Sequence, residues 1–336
     1  MKKIKPHKIR LEASSLCQLQ CPCCTTASGE IKKGIGYGYL KAVHFKKLID
    51  ENPFIKAADI SNFGEIFLNP ELPDIIRYAH EKDIQLTADN GVNLNTVTDE
   101  VLECLVKNRF YRISVSIDGA SQETYEQYRV KGHFDTVIEN IRKINRYKQK
   151  RRTPFPYLMW QFVIFGHNEH ELPAAKKLAT ELDMTFHPKL SWDRDFSPVK
   201  NPEFIKKETG LTATDRSEYK KNTGKNYAAA ICHQMWEEPQ INWDGRVFGC
   251  CINYWKAYTG NVFTDGLLPT LNSEMILYAR DMLLGKKPSR KDIPCSTCDL
   301  YRDYCKDNRW LKRGFSRVLF RIARYWYKRL RLKRWL

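Results

Sequence analysis

The chain has 336 residues, of which 42% are hydrophobic, and a net charge of +17 at pH 7. That is enough apolar material to bury a core without disulfide staples. No run of eighteen apolar residues occurs, so no helix is expected to span a bilayer. The charge is uneven: residues 312–336 hold ten Lys/Arg and no acid, leaving 46 basic and 39 acidic residues elsewhere. The body is therefore only mildly basic, which does not suggest a nucleic-acid-binding fold, and the tail is a separate basic module.

The opening "MKKIKPHKIRLE" is basic but lacks an apolar segment, so no signal peptide is expected and the cytoplasm is the expected compartment. In a reduced compartment, eleven cysteines favour metal ligation over disulfides.

"KIRLEAS" (8–14) reads as a strand and "LKAVHFKKLIDEN" (40–52) as an amphipathic helix. The alternation continues with strand 55–64, helix 70–83, strand 84–91, helix 98–108, strand 111–119, helix 134–150, strand 157–166, helix 169–182 and strand 184–192. Six such units indicate a parallel α/β sheet, too few for a closed eightfold barrel, so a partial (βα)6 TIM-like barrel is expected over 8–192. Residues 193–228 are polar and irregular and read as a connector. Residues 229–305 hold six of the eleven cysteines and read as a small metal-organised domain. Cys104, outside both clusters, reads as a small core residue.

Cys17, Cys21 and Cys24 are spaced C-x3-C-x2-C just after the first strand, at the barrel end where active sites lie. Three thiolates do not complete a tetrahedral zinc site, and no His lies in the loop. On a four-iron cluster they leave one iron open. Cys23 reads as a structural thiol.

This motif in its βα context resembles the radical S-adenosylmethionine (SAM) superfamily. The resemblance implies a [4Fe-4S] cluster whose open iron binds SAM. Reduction by a donor such as flavodoxin or ferredoxin would cleave SAM, and the 5′-deoxyadenosyl radical would abstract hydrogen from a substrate. It further implies that Gly64 and Glu65 contact the SAM amino group, where an ionised carboxylate suits an ammonium. Asn90, ahead of Gly91, would lie near the methionine part. Ser116, Asp118 and Arg129 would lie near SAM, with the Arg129 fork on its carboxylate and Asp118 capping the turn. The segment 161–172 would face adenine, and His167 and His170 read as surface or helix-start residues.

Cys232, followed by Gly245 and Cys250, resembles the opening of SPASM domains, which carry auxiliary clusters. Cys295 and Cys298 follow, and no cysteine lies beyond Cys305. The set supports one auxiliary [4Fe-4S] cluster, as in the shortened "twitch" variant, on Cys232, Cys250, Cys295 and Cys298. Cys251 and Cys305 are spares, with Cys305 able to replace one ligand. The spacing is similar to that of a single-cluster aminocyclitol dehydrogenase of the family.

The expected function is thus radical SAM oxidation of a sugar or aminocyclitol alcohol. The alternatives are maturation of a ribosomal peptide, or a non-catalytic iron–sulfur protein that binds RNA or membrane. Apolar residues of 310–336 fall on one helical face and cations on the other, predicting a helix lying on an anionic membrane surface.

Overall fold

The structure is a computed structural model that describes residues 3–193 and 195–312. The amphipathic helix expected over 310–336 lies outside the described residues beyond Lys312. Among the described residues no helix is long and apolar enough to cross a membrane.

The six expected strands are present as β1 (Lys8–Leu11), β2 (Ala57–Asp59), β3 (Gln85–Val92), β4 (Arg112–Ser116), β5 (Tyr157–Ile164) and β6 (Met184–Leu190). They pair in chain order, all parallel. Between them run α1 (Ala42–Glu51), α2 (Leu72–Glu81), α3 (Asp99–Lys107), α4 (Gln122–Tyr128), α5 (Phe134–Lys150) and α6 (Leu172–Glu181).

The helices follow from their sequences. In α5, Val137, Ile138, Ile141 and Ile144 recur at three- and four-residue spacing, and all are buried. Thr98 caps α3 by accepting from the Val101 N–H, and Ser121 caps α4 by accepting from the Thr124 N–H. Outward strand residues such as Ile9, Leu11, Ala58, Leu86, Ile113 and Val115 are fully or nearly fully buried and form one core with α1 to α6.

The opposite face of the sheet is polar. One cross-sheet row reads Arg10, Asp59, Thr87, Arg112 and Tyr157. Arg10 pairs with Asp59 at 3.0 Å, Arg112 with Asp89 at 2.6 Å and Lys8 with Glu238 at 2.7 Å. A purely structural barrel fills this space with branched apolar side chains; here it is a lumen of paired charges.

Three features depart from the sequence expectation. A seventh strand, β7 (Gln240–Ile241), comes from the cysteine-rich region and pairs parallel to β1, with Gln240 beside Arg10. The polar segment 193–228 holds two short helices, α7 (Pro202–Thr209) and α8 (Arg216–Thr223), capped by Asn201 and Asp215. They escape periodicity analysis because α7 buries only Ile205 and α8 buries nothing. In the C-terminal region follow α9 (Gln234–Glu237), α10 (Leu267–Leu271), α11 (Glu274–Leu283) and α12 (Asp299–Asp307), the last continuing past Cys305.

Arg10 joins the two parts. Besides its ion pair, Nε donates to Gln240 Oε1 at 3.2 Å and Nη2 to the Ser61 carbonyl at 3.2 Å. Arg10 is 4% exposed and Asp59 0%. Replacing Arg10 with Leu strands the Asp59 carboxylate, with an expected loss of about 3–5 kcal/mol, measurable by chemical denaturation.

Candidate functional site

The loop after β1 carries Cys17, Cys21 and Cys24. The Cys24 N–H donates to the Cys21 carbonyl at 3.1 Å, which turns the chain so that the thiols group together. The three are close enough to influence one another's ionisation. Burial pushes the Cys17 thiol up to about 12 and raises Cys21 as well. Such thiols ionise readily only against a bound cation. Two donors reach the sulfurs: Arg129 Nη1 lies 3.6 Å from Cys21 Sγ, and Asn93 Nδ2 3.8 Å from Cys17 Sγ. Contacts of this type around a metal centre hold its ligands in place and tune it. Cys23 turns toward Asp193; burial first, then Asp193, push its thiol up to about 11.

Gly64 packs against the same loop. A Cβ there would come within 2.3 Å of the Ser14 carbonyl and 2.7 Å of the Leu16 nitrogen, so only glycine permits this approach. Glu65 is 2% exposed; it accepts from the Asn93 N–H at 2.6 Å and the Phe67 N–H at 3.3 Å, and burial pushes it up to about 7. Glu12, at the end of β1, is 0% exposed and accepts from the Phe63 and Gly64 N–H groups at 3.1 and 3.3 Å. Burial pushes it up to about 8.

The Asn90 N–H donates to Ser61 Oγ at 3.0 Å, and its side chain donates to Asn62. A Cβ at Gly91 (φ +121°) would lie 2.2 Å from Ser116 Oγ, so its absence leaves a cradle beside Ser116 and Gln161. Asp118 is 0% exposed. It accepts from Arg129 Nε at 2.6 Å and from the Val163 N–H at 2.6 Å, which fixes the guanidinium beside Cys21. Asp118 is thus tied up in orienting Arg129. His167 is half-buried and stacks on Phe165, and His170 lies in the short turn before α6.

The second cysteine set surrounds a cavity. Cys232, Cys250, Cys295 and Cys298 all line it, with Met235, Phe248 and Tyr258 among its apolar walls. Tyr258 Oη lies 3.2 Å from Cys295 Sγ. Cys298 is the N-cap residue of α12, with no side-chain hydrogen bond to the helix; burial raises its thiol, and the nearby Tyr301 and Leu300 N–H groups oppose that. Burial pushes Cys232 up to about 12 and Cys295 to about 11. Among the described residues, no three His, Cys, Asp or Glu side chains converge on a point suited to one ion. The four thiols line one space with apolar walls, a donor set that fits an iron–sulfur cluster.

Cys305 is exposed on α12 and bonds with Tyr301 rather than lining the cavity. Cys251 does not line the cavity, although its thiol acts on those of Cys232 and Cys250. Its thiol lies in the field of Arg10, Glu238 and Asp59, inside the barrel lumen. Its N–H donates to Gln234 Oε1 at 2.8 Å and its carbonyl accepts from Asn62 Nδ2 at 3.1 Å.

Sequence reasoning missed Glu12, Asn93 and the lumenal position of Cys251. The signal for Glu12 was present: Lys8, Arg10 and Glu12 alternate with the apolar Ile9, Leu11 and Ala13. Charges at period two near the C-terminal end of a barrel strand point to a site.

Replacing Cys17, Cys21 or Cys24 by Ala is expected to abolish 5′-deoxyadenosine formation, whereas Cys23→Ala retains most of it; equal loss would remove Cys23 from its peripheral role. Reconstituted protein is expected to bind about eight irons, two four-iron groups. The triple Ala variant of the first motif should keep about half. For Glu12, a folded-state value near 8 against an ordinary 4.5 means that stability falls as pH rises from 4.5 to 8 and levels off above. Glu12→Gln should flatten that part of the pH–stability curve measured by urea unfolding.

A model of the radical SAM superfamily matches residues 11–179, just over half of the chain. A model of the SPASM iron–sulfur cluster-binding domain matches 232–299. The AdoMet-dependent heme synthase of Methanosarcina barkeri is 31% identical over 180 residues, 53% of this chain and 48% of that protein. The mycofactocin maturase MftC of Mycobacterium tuberculosis is 26% identical over 142 residues, 41% of this chain and 34% of that protein. The matched segments thus span from a third to a half of these relatives' lengths. SuiB of Streptococcus suis bound to S-adenosylmethionine superposes with a TM-score of 0.63 at 13% identity, covering 88% of this chain and 71% of SuiB. The anSMEcpe enzyme with bound AdoMet gives 0.57 at 14%, covering 88% and 87%. These last two likenesses concern the fold. With its cysteine loop, its glycine cradle and the matched family model, the chain belongs to the radical SAM superfamily and carries a C-terminal SPASM iron–sulfur domain.

Proposed function

We propose that the protein catalyses a two-electron oxidation of a small polar molecule, a sugar or aminocyclitol alcohol, held in the barrel lumen. The observation that carries this reading is the pair Cys250–Cys251. Cys250 lines the auxiliary cavity while the next residue reaches the lumen beside Arg10. An electron acceptor on one side of that peptide unit is therefore adjacent to a substrate on the other.

In this reading Cys17, Cys21 and Cys24 would hold a cluster whose reduced form would supply the electron for SAM cleavage, and Cys232, Cys250, Cys295 and Cys298 the auxiliary one. The chain's own residues bind and orient. Glu65, ionised, accepts from the SAM ammonium, and the cradle at Gly91 leaves room beside Ser116 and Asn90. Arg129, held by Asp118 at 2.6 Å, presents its remaining N–H groups to the SAM carboxylate. The paired charges of the lumen offer donors and acceptors to hydroxyl groups while the apolar outer face excludes water.

A peptide substrate is the second reading. It is favoured by the relative named as a maturase and by a SuiB structure bound to its precursor peptide. A reducing partner of the flavodoxin or ferredoxin type is required in either case.

Anaerobic reconstitution with SAM, a reductant and cell-extract metabolites tests the reading. 5′-Deoxyadenosine and a metabolite lighter by two hydrogens are expected. Cys295→Ala with Cys298→Ala should still form 5′-deoxyadenosine but lose the oxidised product. A modified peptide in place of an oxidised small molecule would overturn the first reading in favour of the second.

A further inference from the structure

Among the described residues, two cations at the rim of the lumen have no ion-paired carboxylate. Lys189 lies on the inner face of β6, paired in register with Val163. Its Nζ donates to Gln161, whose amide in turn reaches Ser116 Oγ at 3.3 Å, so Lys189 is one side chain removed from the Gly91 cradle. The carboxylates that influence it, Asp118 and Asp89, are already bound to Arg129 and Arg112 at 2.6 Å. Burial lowers the Lys189 pKa, and the nearby Arg216 lowers it further.

Arg216, at the start of α8, donates from Nε to the Ser191 carbonyl at 2.8 Å and from Nη2 to the Leu190 carbonyl at 3.1 Å. Its guanidinium stacks 3.5 Å from Trp192 and 4.7 Å from Tyr227. Among the described residues no carboxylate pairs with it, and burial pushes it down to about 10. The two carbonyl bonds fix the guanidinium on the backbone that directly follows Lys189, and two such cations partly removed from water are costly unless an anion joins them.

We infer that Lys189 and Arg216 form an oxyanion-binding subsite at the mouth of the barrel, so that the substrate carries a carboxylate or phosphate group. The subsite deepens the reading of the lumen as the substrate chamber. Lys189 supplies two unused N–H donors and Arg216 its Nη1, a set matched to a tetrahedral or planar oxyanion. Trp192, 64% exposed, borders the subsite and offers an apolar face to the remainder of the molecule.

The test uses cluster-loaded protein with SAM bound, under anaerobic conditions and without turnover. Acetic anhydride labelling of Lys189 is followed by peptide mass spectrometry, with exposed Lys107 as the internal control. Inorganic phosphate and malonate are compared with chloride at equal ionic strength. Phosphate or malonate should slow labelling of Lys189 several-fold and leave Lys107 unchanged. Stronger protection by phosphate assigns a phosphoryl group, and by malonate a carboxylate. Calorimetric affinity for the protecting anion should fall about tenfold in Lys189→Met and recover in Lys189→Arg. Failure of both anions to protect Lys189 beyond chloride, or unchanged affinity in Lys189→Met, overturns the subsite. Because the readout is binding, it stands apart from the oxidation assay: an active enzyme with no anion effect defeats this inference alone, and anion binding without oxidation defeats the reaction alone.

Discussion

The buried pair of Arg10 and Asp59 is the constraint on which the rest depends. A guanidinium removed from water must find its charge and its hydrogen bonds nearby. Arg10 finds them on both neighbouring strands, reaching Asp59 in β2, the Ser61 carbonyl just beyond it and Gln240 in β7. Gln240 belongs to the strand that opens the cluster-binding domain, so satisfying one barrel cation also fixes where that domain sits. Arg246 adds a second tie by donating to the Gly34 and Ile35 carbonyls, in the segment that follows the first cysteine motif. Both cysteine sets are therefore anchored to the same end of one sheet.

The electrostatics of that end are arranged for guests. Thiols in both sets are pushed up by burial, and so are Glu12 and Glu65. Left to itself the chain holds these groups neutral or close to titration. A bound cation would supply the positive charge that makes thiolates and carboxylates favourable there. Arg129 is the exception, a permanent cation kept in place by Asp118 and standing beside Cys21.

Much of this was legible in the sequence because its signals are local. The six strand–helix units alternate with clear hydrophobic periodicity, and the three-cysteine spacing is confined to one loop. The cavity walls at Cys232, Cys250, Cys295 and Cys298 follow from spacing together with family resemblance. What could not be read depends on distance in the chain. β7 has two residues and no periodicity, and only its pairing with β1 reveals it. The helices within 193–228 bury too little to leave a pattern. Glu12 shows its place by alternation, but not its partners: Phe63 and Gly64, some fifty residues on, bring their N–H groups to it. Cys251 reads as a duplicate of its neighbour, because a sequence does not say which way consecutive side chains point.

That divergence of neighbours bears on how such a protein can change. Cys250 lines the cavity, and Cys251, the very next residue, instead stands in the field of Arg10. An insertion or deletion there would swing one thiol away from its own compartment and bring the wrong one in. Drift there is therefore confined to substitution, while the chamber and the cluster cavity must diversify in step. Insertions would be expected to be tolerated better at the exposed ends of α7 and α8, which bury little, than at that pair.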